Sequence, residues 1–127
     1  MRDLMVATLA VLLLIGAWLV FFHYSEDQLN SYVKTVNDII IPTIEEEDWD
    51  RSVKELKALS KDWHQYKKVA LFFLDTDTIS QIDYALSKSI KYAQAEDISN
   101  STGELNAMVE QIRFLISNDQ VSLDNIF

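Results

Sequence analysis

The chain has 127 residues, enough for one small domain, and its 20 acidic against 11 basic residues give a formal net charge of −9. This acidity makes nucleic acid an unsuitable partner, because its phosphates would be repelled by the protein surface. The chain has no cysteine, two glycines and one proline, which excludes a disulfide framework and argues against sheet-rich and α/β folds.

The N-terminal region is an apolar stretch without charge, Leu4 to Phe22. At about 1.5 Å per residue, a helix of this length spans roughly 30 Å, the thickness of the hydrocarbon core of a bilayer. The stretch ends in aromatic residues suited to a membrane interface and lacks a small-x-small cleavage site. The sequence therefore predicts an uncleaved signal anchor in residues 1–23, with residues 4–22 in the lipid bilayer of the cell membrane. Residues 24–127 are predicted to form an extracytoplasmic helical bundle domain with a C-terminal tail.

Helical periodicity continues beyond the apolar stretch. Apolar residues from Leu29 to Ile40 recur at helical spacing, so the first helix is expected to leave the membrane and to end or kink at Pro42. A capping box at residues 43–46 predicts the start of a second helix of about 30 residues. Its apolar stripe comprises Trp49, Val53, Leu56, Leu59, Trp63, Tyr66, Ala70 and Leu74.

Two further helices are predicted after this one. A capping box at residues 78–81 opens the third helix, and another at residues 101–104 opens the fourth. Residues 117–127 lose the periodicity and are predicted to form an irregular tail. The stripe of the third helix comprises Ile79, Ile82, Leu86, Ile90 and Ala93, and that of the fourth Leu105, Met108, Val109, Ile112, Leu115 and Ile116.

These stripes predict an all-α fold. Each stripe is too narrow for a helix that is buried on all sides, and none is stable when it faces water. Because the connections are short, the interpretation is an N-terminal transmembrane helix followed by an up-and-down antiparallel helical bundle of three to four helices. The alternative is one long helix through residues 44–94 that pairs as a coiled coil, although Ser60 and Lys67 would interrupt its heptads.

One short stretch has the appearance of an active site. The apolar run of residues 69–74 leads into Asp75-Thr76-Asp77-Thr78, an order found in D-x-D-x-T phosphatases and, more loosely, in calcium loops. Phosphatase chemistry requires later strands that the sequence does not predict, and a calcium loop requires Gly and Glu where Ser80 and Leu86 stand. The aspartates are therefore interpreted as turn residues beside a helix start, and no catalytic, cofactor-binding or metal-binding residue is predicted.

Candidate partner contacts come from three features. Trp49 and Trp63 share one helix face, which is interpreted as core, with a groove for a partner helix or an apolar ligand as the alternative. Lysines at 3-4-7 spacing on the second helix form either a solvated face or a docking surface for an acidic partner. Phe114 lies off its stripe, and the apolar tail either folds back onto it or engages another protein. The predicted contacts are Lys54, Lys57, Lys61, Lys68, Phe114, Ile126 and Phe127.

The anchor, the acidic helical domain and a set of scattered positions form a combined signature. These positions are Trp49, Trp63, Ile79, Ile82, Leu86, Glu104, Leu105 and the closing run Ser122 to Phe127. The combination resembles a family of small bacterial single-span proteins catalogued as a domain of unknown function. Members often have His and Glu where this chain has Asp75 and Asp77. The resemblance implies a helical domain held at the membrane and no particular activity.

The sequence as a whole predicts a non-enzymatic, membrane-anchored helical module that binds another envelope or membrane protein or a second copy of itself. The anchor would raise the local concentration of the module near its partner. No cofactor is expected. Two alternatives are a ligand-sensing extracytoplasmic bundle that acts through a partner membrane protein, and a coiled-coil structural spacer.

Overall fold

The structure, a computed structural model, describes the backbone of residues 1–126 and the side chains of residues 1–117. All regular structure in the described backbone is helical, so the predicted all-α class is confirmed. The elements are α1 (Arg2–Thr35), a π-helical segment (Val36–Ile40), α2 (Ile41–Glu45), α3 (Trp49–Ala70), α4 (Thr76–Gln94) and α5 (Ile98–Ile126).

The first three elements form one continuous helix from Arg2 to Glu45. Its N-terminal part is apolar and exposed, and it is long enough to cross a membrane. From Phe21 onward one face of the same helix is buried in the bundle. The sequence predicted this packed face from Leu29, whereas it placed Phe21 and Phe22 in the membrane-spanning stretch. The buried residues on this face are Phe21, Phe22, Ser25, Leu29, Tyr32, Val36, Ile40, Thr43 and Ile44.

Pro42 does not end this helix, so of the two predicted outcomes, an end or a kink, the end is wrong. A proline in a helix removes one backbone donor and crowds the carbonyl one turn earlier. The wider π-helical turn lies directly before it, and the Ile41 N–H bonds to the Val36 carbonyl there, which is the spacing of a π-helix. The Thr43 hydroxyl donates to the Ile39 carbonyl at 2.5 Å. The helix therefore accommodates the proline and continues for one more turn.

The helices form a four-membered ring. The first helix packs beside α3 and α5, and α4 closes the ring by packing beside the same two helices. The chain reverses between Ala70 and Thr76, so the alternative of one long helix through residues 44–94 is wrong and the predicted up-and-down bundle is confirmed. The largest fully buried side chains are Trp63, Tyr66, Leu29, Ile40, Ile44, Leu56, Ile79, Ile82, Leu86, Leu105, Met108 and Ile112.

The three predicted capping boxes are wrong, because an aspartate further along or further back caps each helix instead. Asp48 accepts a hydrogen bond from the Arg51 N–H at 3.4 Å, and Asp97 accepts one from the Asn100 N–H at 3.0 Å. Asp75 caps α4 by accepting from the Asp77 N–H, two residues on. Aspartate is as good an N-cap as serine. The serine and threonine pattern therefore did not distinguish the residues that cap these helices from those that do not. As a result α3 has 22 residues instead of about 30.

The Asp97 cap is held in its ionised form. Hydrogen bonds from the backbone N–H of Asn100 and then from its side-chain amide lower the pKa of the Asp97 carboxyl. A pKa lowered by folding stabilises the native state above the ordinary carboxyl range. This contribution is lost as the pH falls through the lowered pKa.

The connection between α2 and α3 is a Schellman motif followed at once by a helix cap. The Glu47 N–H bonds to the Ile44 carbonyl at 2.9 Å, and the Asp48 N–H bonds to the Thr43 carbonyl at 3.1 Å. Glu47 takes a left-handed conformation, with φ of 60°. The buried Ser52 hydroxyl then donates to the Asp48 carbonyl at 2.7 Å.

The connection between α4 and α5 repeats this arrangement residue for residue. Glu96 has φ of 57°, and its N–H bonds to Ala93 while the Asp97 N–H bonds to Tyr92. The buried Ser101 hydroxyl donates to the Asp97 carbonyl at 2.5 Å. Both connections have the sequence Glu-Asp-x-x-x-Ser, a signal for these helix starts that differs from the capping-box pattern.

We expect Glu47→Gly to raise the stability of the protein. A residue with a Cβ atom is strained in the left-handed conformation, whereas glycine adopts it freely. Glycine also has greater freedom in the unfolded chain, which offsets part of this effect. The expected net increase in the free energy of unfolding is about 0.5–1 kcal/mol. Thermal unfolding of the full chain in detergent micelles, followed by circular dichroism, measures it.

The matched control for this prediction is Glu46→Gly. Glu46 is the neighbouring residue with φ of −79°, where glycine brings only its unfavourable entropy and should lower stability by about 0.5 kcal/mol. Equal shifts in the two variants would contradict the left-handed assignment of Glu47.

The C-terminal residues differ from the sequence prediction. The backbone continues as part of α5 through Ile126, so the predicted irregular tail from residue 117 is wrong. Because the helix does not reverse direction, the chain up to residue 126 does not fold back onto Phe114.

Candidate functional site

The Asp75–Thr78 stretch is the N-terminal cap of α4. One carboxylate oxygen of Asp75 accepts from the Asp77 N–H at 3.3 Å, and the other accepts from the Thr78 hydroxyl at 2.8 Å. The preceding apolar run belongs to the end of α3 and a tight turn, not to a strand. The interpretation as a residue beside a helix start is confirmed for Asp75, which is the N-cap, whereas Asp77 lies within the first turn of α4. Among the described side chains, no group of three or more His, Asp or Glu residues is placed to hold a metal ion.

The turn between α3 and α4 exposes a group of apolar side chains. Phe72 is 85% exposed, and Val69, Leu71 and Phe73 are 40–45% exposed. Leu74 is buried and fixes the turn to the bundle. We call the four exposed residues, Val69, Leu71, Phe72 and Phe73, the apolar turn.

The apolar turn lies beside the first helix, near the end of its apolar stretch. The ring of Phe73 stacks on that of Phe21, with centroids 4.2 Å apart and planes 20° apart. Phe21 contacts Phe22, which packs edge-on against Trp18 at 4.5 Å. This aromatic group therefore joins the apolar turn to the apolar part of α1. Stacked aromatic pairs of this kind contribute about 0.5–1.5 kcal/mol beyond the area they bury.

A second feature is a polar cleft between α1 and α3. The Tyr32 hydroxyl donates to the Asp62 carbonyl at 3.2 Å, and the Ser25 hydroxyl is hydrogen-bonded to the Tyr66 hydroxyl. Burial first, and then the nearby Tyr24 and Asp62, raise the pKa of Tyr32 above its ordinary value, so its hydroxyl stays protonated. The cleft has a volume of about 270 Å³ and is lined by Tyr24, Gln28, Tyr32, Asp62, Gln65 and Tyr66. We call it the tyrosine cleft.

Trp63 lies at the centre of the bundle. It is fully buried, and its indole N–H donates to Asp83 of α4 at 2.5 Å. The other carboxylate oxygen of Asp83 accepts from the Lys67 ammonium at 2.6 Å. Trp49 is half-buried at the edge of the core. The interpretation of the tryptophan pair as core is confirmed for Trp63, and its full burial leaves no open groove at that position.

The four lysines predicted as partner contacts are all exposed on α3. They are Lys54, Lys57, Lys61 and Lys68, and we call them the lysine stripe. Among the described side chains, the ion pairs use His23, Lys67, Lys88 and Arg113. The stripe is therefore an exposed face whose charges are not neutralised by carboxylates in that part of the molecule.

Comparison with known proteins identifies the family of this chain. A family model described as a domain of unknown function, DUF4363, matches residues 19–126. The chain belongs to the DUF4363 family. The predicted membership of a family of unknown function is thus confirmed. Searches among curated proteins and among solved structures found no match.

The DUF4363 region begins inside the first helix, one residue after Trp18. It includes Phe21 and Phe22, the aromatic residues through which α1 contacts the apolar turn, together with the whole bundle that follows. The family unit is therefore the helical bundle with the packed part of its first helix. Most of the exposed apolar part of α1 precedes it.

The remaining predicted contacts lie toward the end of α5. Phe114 is 51% exposed and borders an open cleft of about 440 Å³, together with Thr78, Gln81, Glu110 and Gln111. Its exposure agrees with its predicted position off the apolar stripe. The side chain of Ile126 and the whole of Phe127 lie outside the described residues, so their contacts stay predictions.

Proposed function

We propose that this DUF4363 protein is a membrane-anchored helical module that binds another membrane or envelope protein, or a second copy of itself, without catalysing a reaction. The observation that carries the proposal is the continuous helix from Arg2 to Glu45. Its apolar first part faces outward, while its second part forms one side of the bundle. Because no flexible linker separates the two parts, such a helix holds the bundle at a fixed distance from the bilayer.

The packing of α1 also argues against removal of the apolar segment as a signal peptide. Phe21 and Phe22 are 6% and 7% exposed, and both belong to the hydrophobic core. Cleavage after the apolar stretch would remove these side chains and the partner of Phe73. This packing supports a bundle that retains the segment as its anchor.

The lysine stripe supplies the surface for a partner. Its four cations lie on one face of α3, in a chain whose residues 75–127 contain nine acidic and three basic side chains. An acidic surface, either on another protein or on α4 and α5 of a second copy, is complementary to it. Charge complementarity of this kind directs encounter and orientation more than it adds affinity.

The anchoring part of the proposal is tested by fractionation. We expect the full chain to remain in the membrane pellet after alkaline carbonate extraction, because roughly 20 apolar residues of α1 would have to leave the bilayer. Release into the soluble fraction would contradict the anchor.

The binding part is tested by crosslinking in native membranes. We expect a photo-crosslinker at Lys61 to capture a protein or a second copy, and the double variant Lys57→Glu/Lys54→Glu to reduce this product about tenfold, since two contacts become repulsive. The matched control is Lys34→Glu/Lys91→Glu, which changes the net charge equally on exposed positions of α1 and α4. Equal loss in both variants would show a general charge effect and would contradict the lysine stripe as the binding surface.

A second candidate function is the sensing of a small polar ligand, and the tyrosine cleft favours it. Three tyrosines, two glutamine amides and Asp62 line its wall, which suits a molecule with several hydrogen-bonding groups. A signal would then pass to a partner membrane protein. A thermal-shift screen with amino acids tests this candidate, and a shift that disappears in Gln28→Ala would support it.

A further inference from the structure

The apolar turn is the largest run of exposed apolar side chains in the described bundle outside the anchor stretch. Phe72 is the most exposed of them. An exposed phenylalanine of this kind costs stability in water, and an apolar patch on a protein surface marks a contact with a partner or a membrane. The question is which partner covers this patch.

The position of the apolar turn points to lipid. Phe73 stacks on Phe21, in the last turn of the anchor stretch. Phe73 also lines an open apolar groove of about 400 Å³ together with Leu14, Ile15 and Trp18 of the anchor. The exposed face of the turn is therefore continuous with a surface that faces lipid when α1 crosses the membrane.

The backbone N–H groups of the turn have hydrogen-bond acceptors within the protein. The N–H groups of Leu71 and Phe72 bond to the carbonyls of Lys67 and Val69 at 3.0 and 3.1 Å. Those of Phe73 and Leu74 both bond to the Ala70 carbonyl, at 3.0 and 2.8 Å. A backbone donor without a partner costs several kcal/mol in lipid, and each of these four donors is already satisfied within the turn.

The charges next to the turn also agree with a membrane interface. Lys68 is exposed just before the turn, where its long side chain reaches the headgroups while its methylene groups stay in apolar surroundings. Asp75 follows the turn, and both of its carboxylate oxygens are already occupied by the α4 cap. The turn itself, residues 69–74, contains no carboxylate, and the exposed Asp77 lies beyond it in the first turn of α4.

We propose that the apolar turn is a second membrane-contacting element, in which Val69, Leu71, Phe72 and Phe73 enter the interfacial layer of the bilayer beside α1. This proposal rests on the proposed function, since it requires α1 to cross the membrane. Contact at two points fixes the tilt and the rotation of the bundle relative to the bilayer. The lysine stripe then rises from Lys68 near the headgroups to Lys54, about 20 Å farther out at 1.5 Å per residue, so it faces a partner that stands beside the protein in the same membrane.

The experiment uses single spin labels on the full chain, which contains no cysteine of its own. The labelled variants are Phe72→Cys in the apolar turn, Leu12→Cys in the anchor and Tyr84→Cys on the exposed face of α4. Each protein is reconstituted in phosphatidylcholine vesicles, and collisions with oxygen, which concentrates in lipid, are compared with collisions with a water-soluble nickel chelate. Far-UV circular dichroism confirms that each variant retains its helices.

We expect the label at position 72 to collide with oxygen several times more often, relative to the nickel chelate, than the label at position 84. If the label at position 12 is in lipid while that at position 72 meets only the nickel chelate, the apolar turn lies in water and this proposal is overturned, although the anchor stands. If the label at position 12 also lies in water, the anchor itself fails. Protection of position 72 from both reagents, with dipolar broadening between labels, would assign the patch to a second copy and would likewise overturn the proposal.

Discussion

Trp63→Ala is expected to lower the free energy of unfolding by about 3–5 kcal/mol. Trp63 is fully buried and packs against the rings of Tyr32 and Tyr66, with centroids 6.1 and 5.6 Å away. Removing the indole leaves a cavity among helices α1, α3 and α4 and takes the donor away from Asp83. Because small domains have free energies of unfolding of about 5–15 kcal/mol, this variant should lose a large part of its total stability. Chemical unfolding in detergent micelles, followed by circular dichroism, measures the change.

The matched control is Trp49→Ala, the other tryptophan of the same helix. Trp49 is half-buried at the edge of the core, so its removal exposes less new surface and should cost about 1–2 kcal/mol. Equal losses in the two variants would contradict the central position of Trp63.

The second large effect is expected for Asp83→Ala, at about 2–3 kcal/mol. Asp83 accepts hydrogen bonds from the indole of Trp63 and the ammonium of Lys67. Without the carboxylate, the buried indole N–H has lost its acceptor, and an unsatisfied buried donor retains its full desolvation cost. The same unfolding measurement applies to this variant.

Lys67→Met distinguishes the contributions of the two Asp83 hydrogen bonds to stability, because it removes only the bond from the lysine. The Lys67 and Asp83 side chains are 28% and 24% exposed, so the ion pair is partly screened and its loss should cost less than about 1 kcal/mol. Methionine retains most of the apolar stem of lysine. If Asp83→Ala were no more harmful than Lys67→Met, the bond to Trp63 would contribute nothing measurable and the account of the core would be wrong.

The inward face of each helix followed from the sequence because helical periodicity decides which side chains are buried. Leu56, Leu59, Trp63 and Tyr66 were expected on the core face of α3, and all four are buried. Short connections then left the up-and-down bundle as the economical arrangement. The helix ends were less predictable, since serine, threonine and aspartate cap equally well and the choice depends on where the previous helix stops.

Helical periodicity does not predict which residues of different helices contact each other. A stripe indicates that Trp63 faces inward, yet it does not indicate that Asp83 lies opposite the indole. The stacking of Phe73 on Phe21 joins residues that are far apart in sequence, and no local pattern encodes their register. The passage of the helix through Pro42 likewise depends on a π-helical turn that a residue pattern does not reveal.

The candidate site was predicted in part. The exposed lysine stripe followed from its spacing, since its residues lie opposite the apolar face of α3. The apolar turn was overlooked as a surface because the run of residues 69–74 was considered only as the end of a helix of about 30 residues that leads into Asp75. The signal was present in the run Val69 to Leu74, where six consecutive apolar residues exceed what one face of a helix requires.

The most direct measurement is an intramolecular crosslink in the full chain between Phe21→Cys and Phe73→Cys, made with a short bismaleimide. The α3–α4 turn, and therefore the Asp75 cap, lies against the first helix at the end of its apolar stretch. We expect efficient crosslinking of this pair and none for Phe21→Cys with Ile98→Cys, at the opposite end of the bundle. Failure of the first pair, or equal crosslinking of both, would contradict this packing.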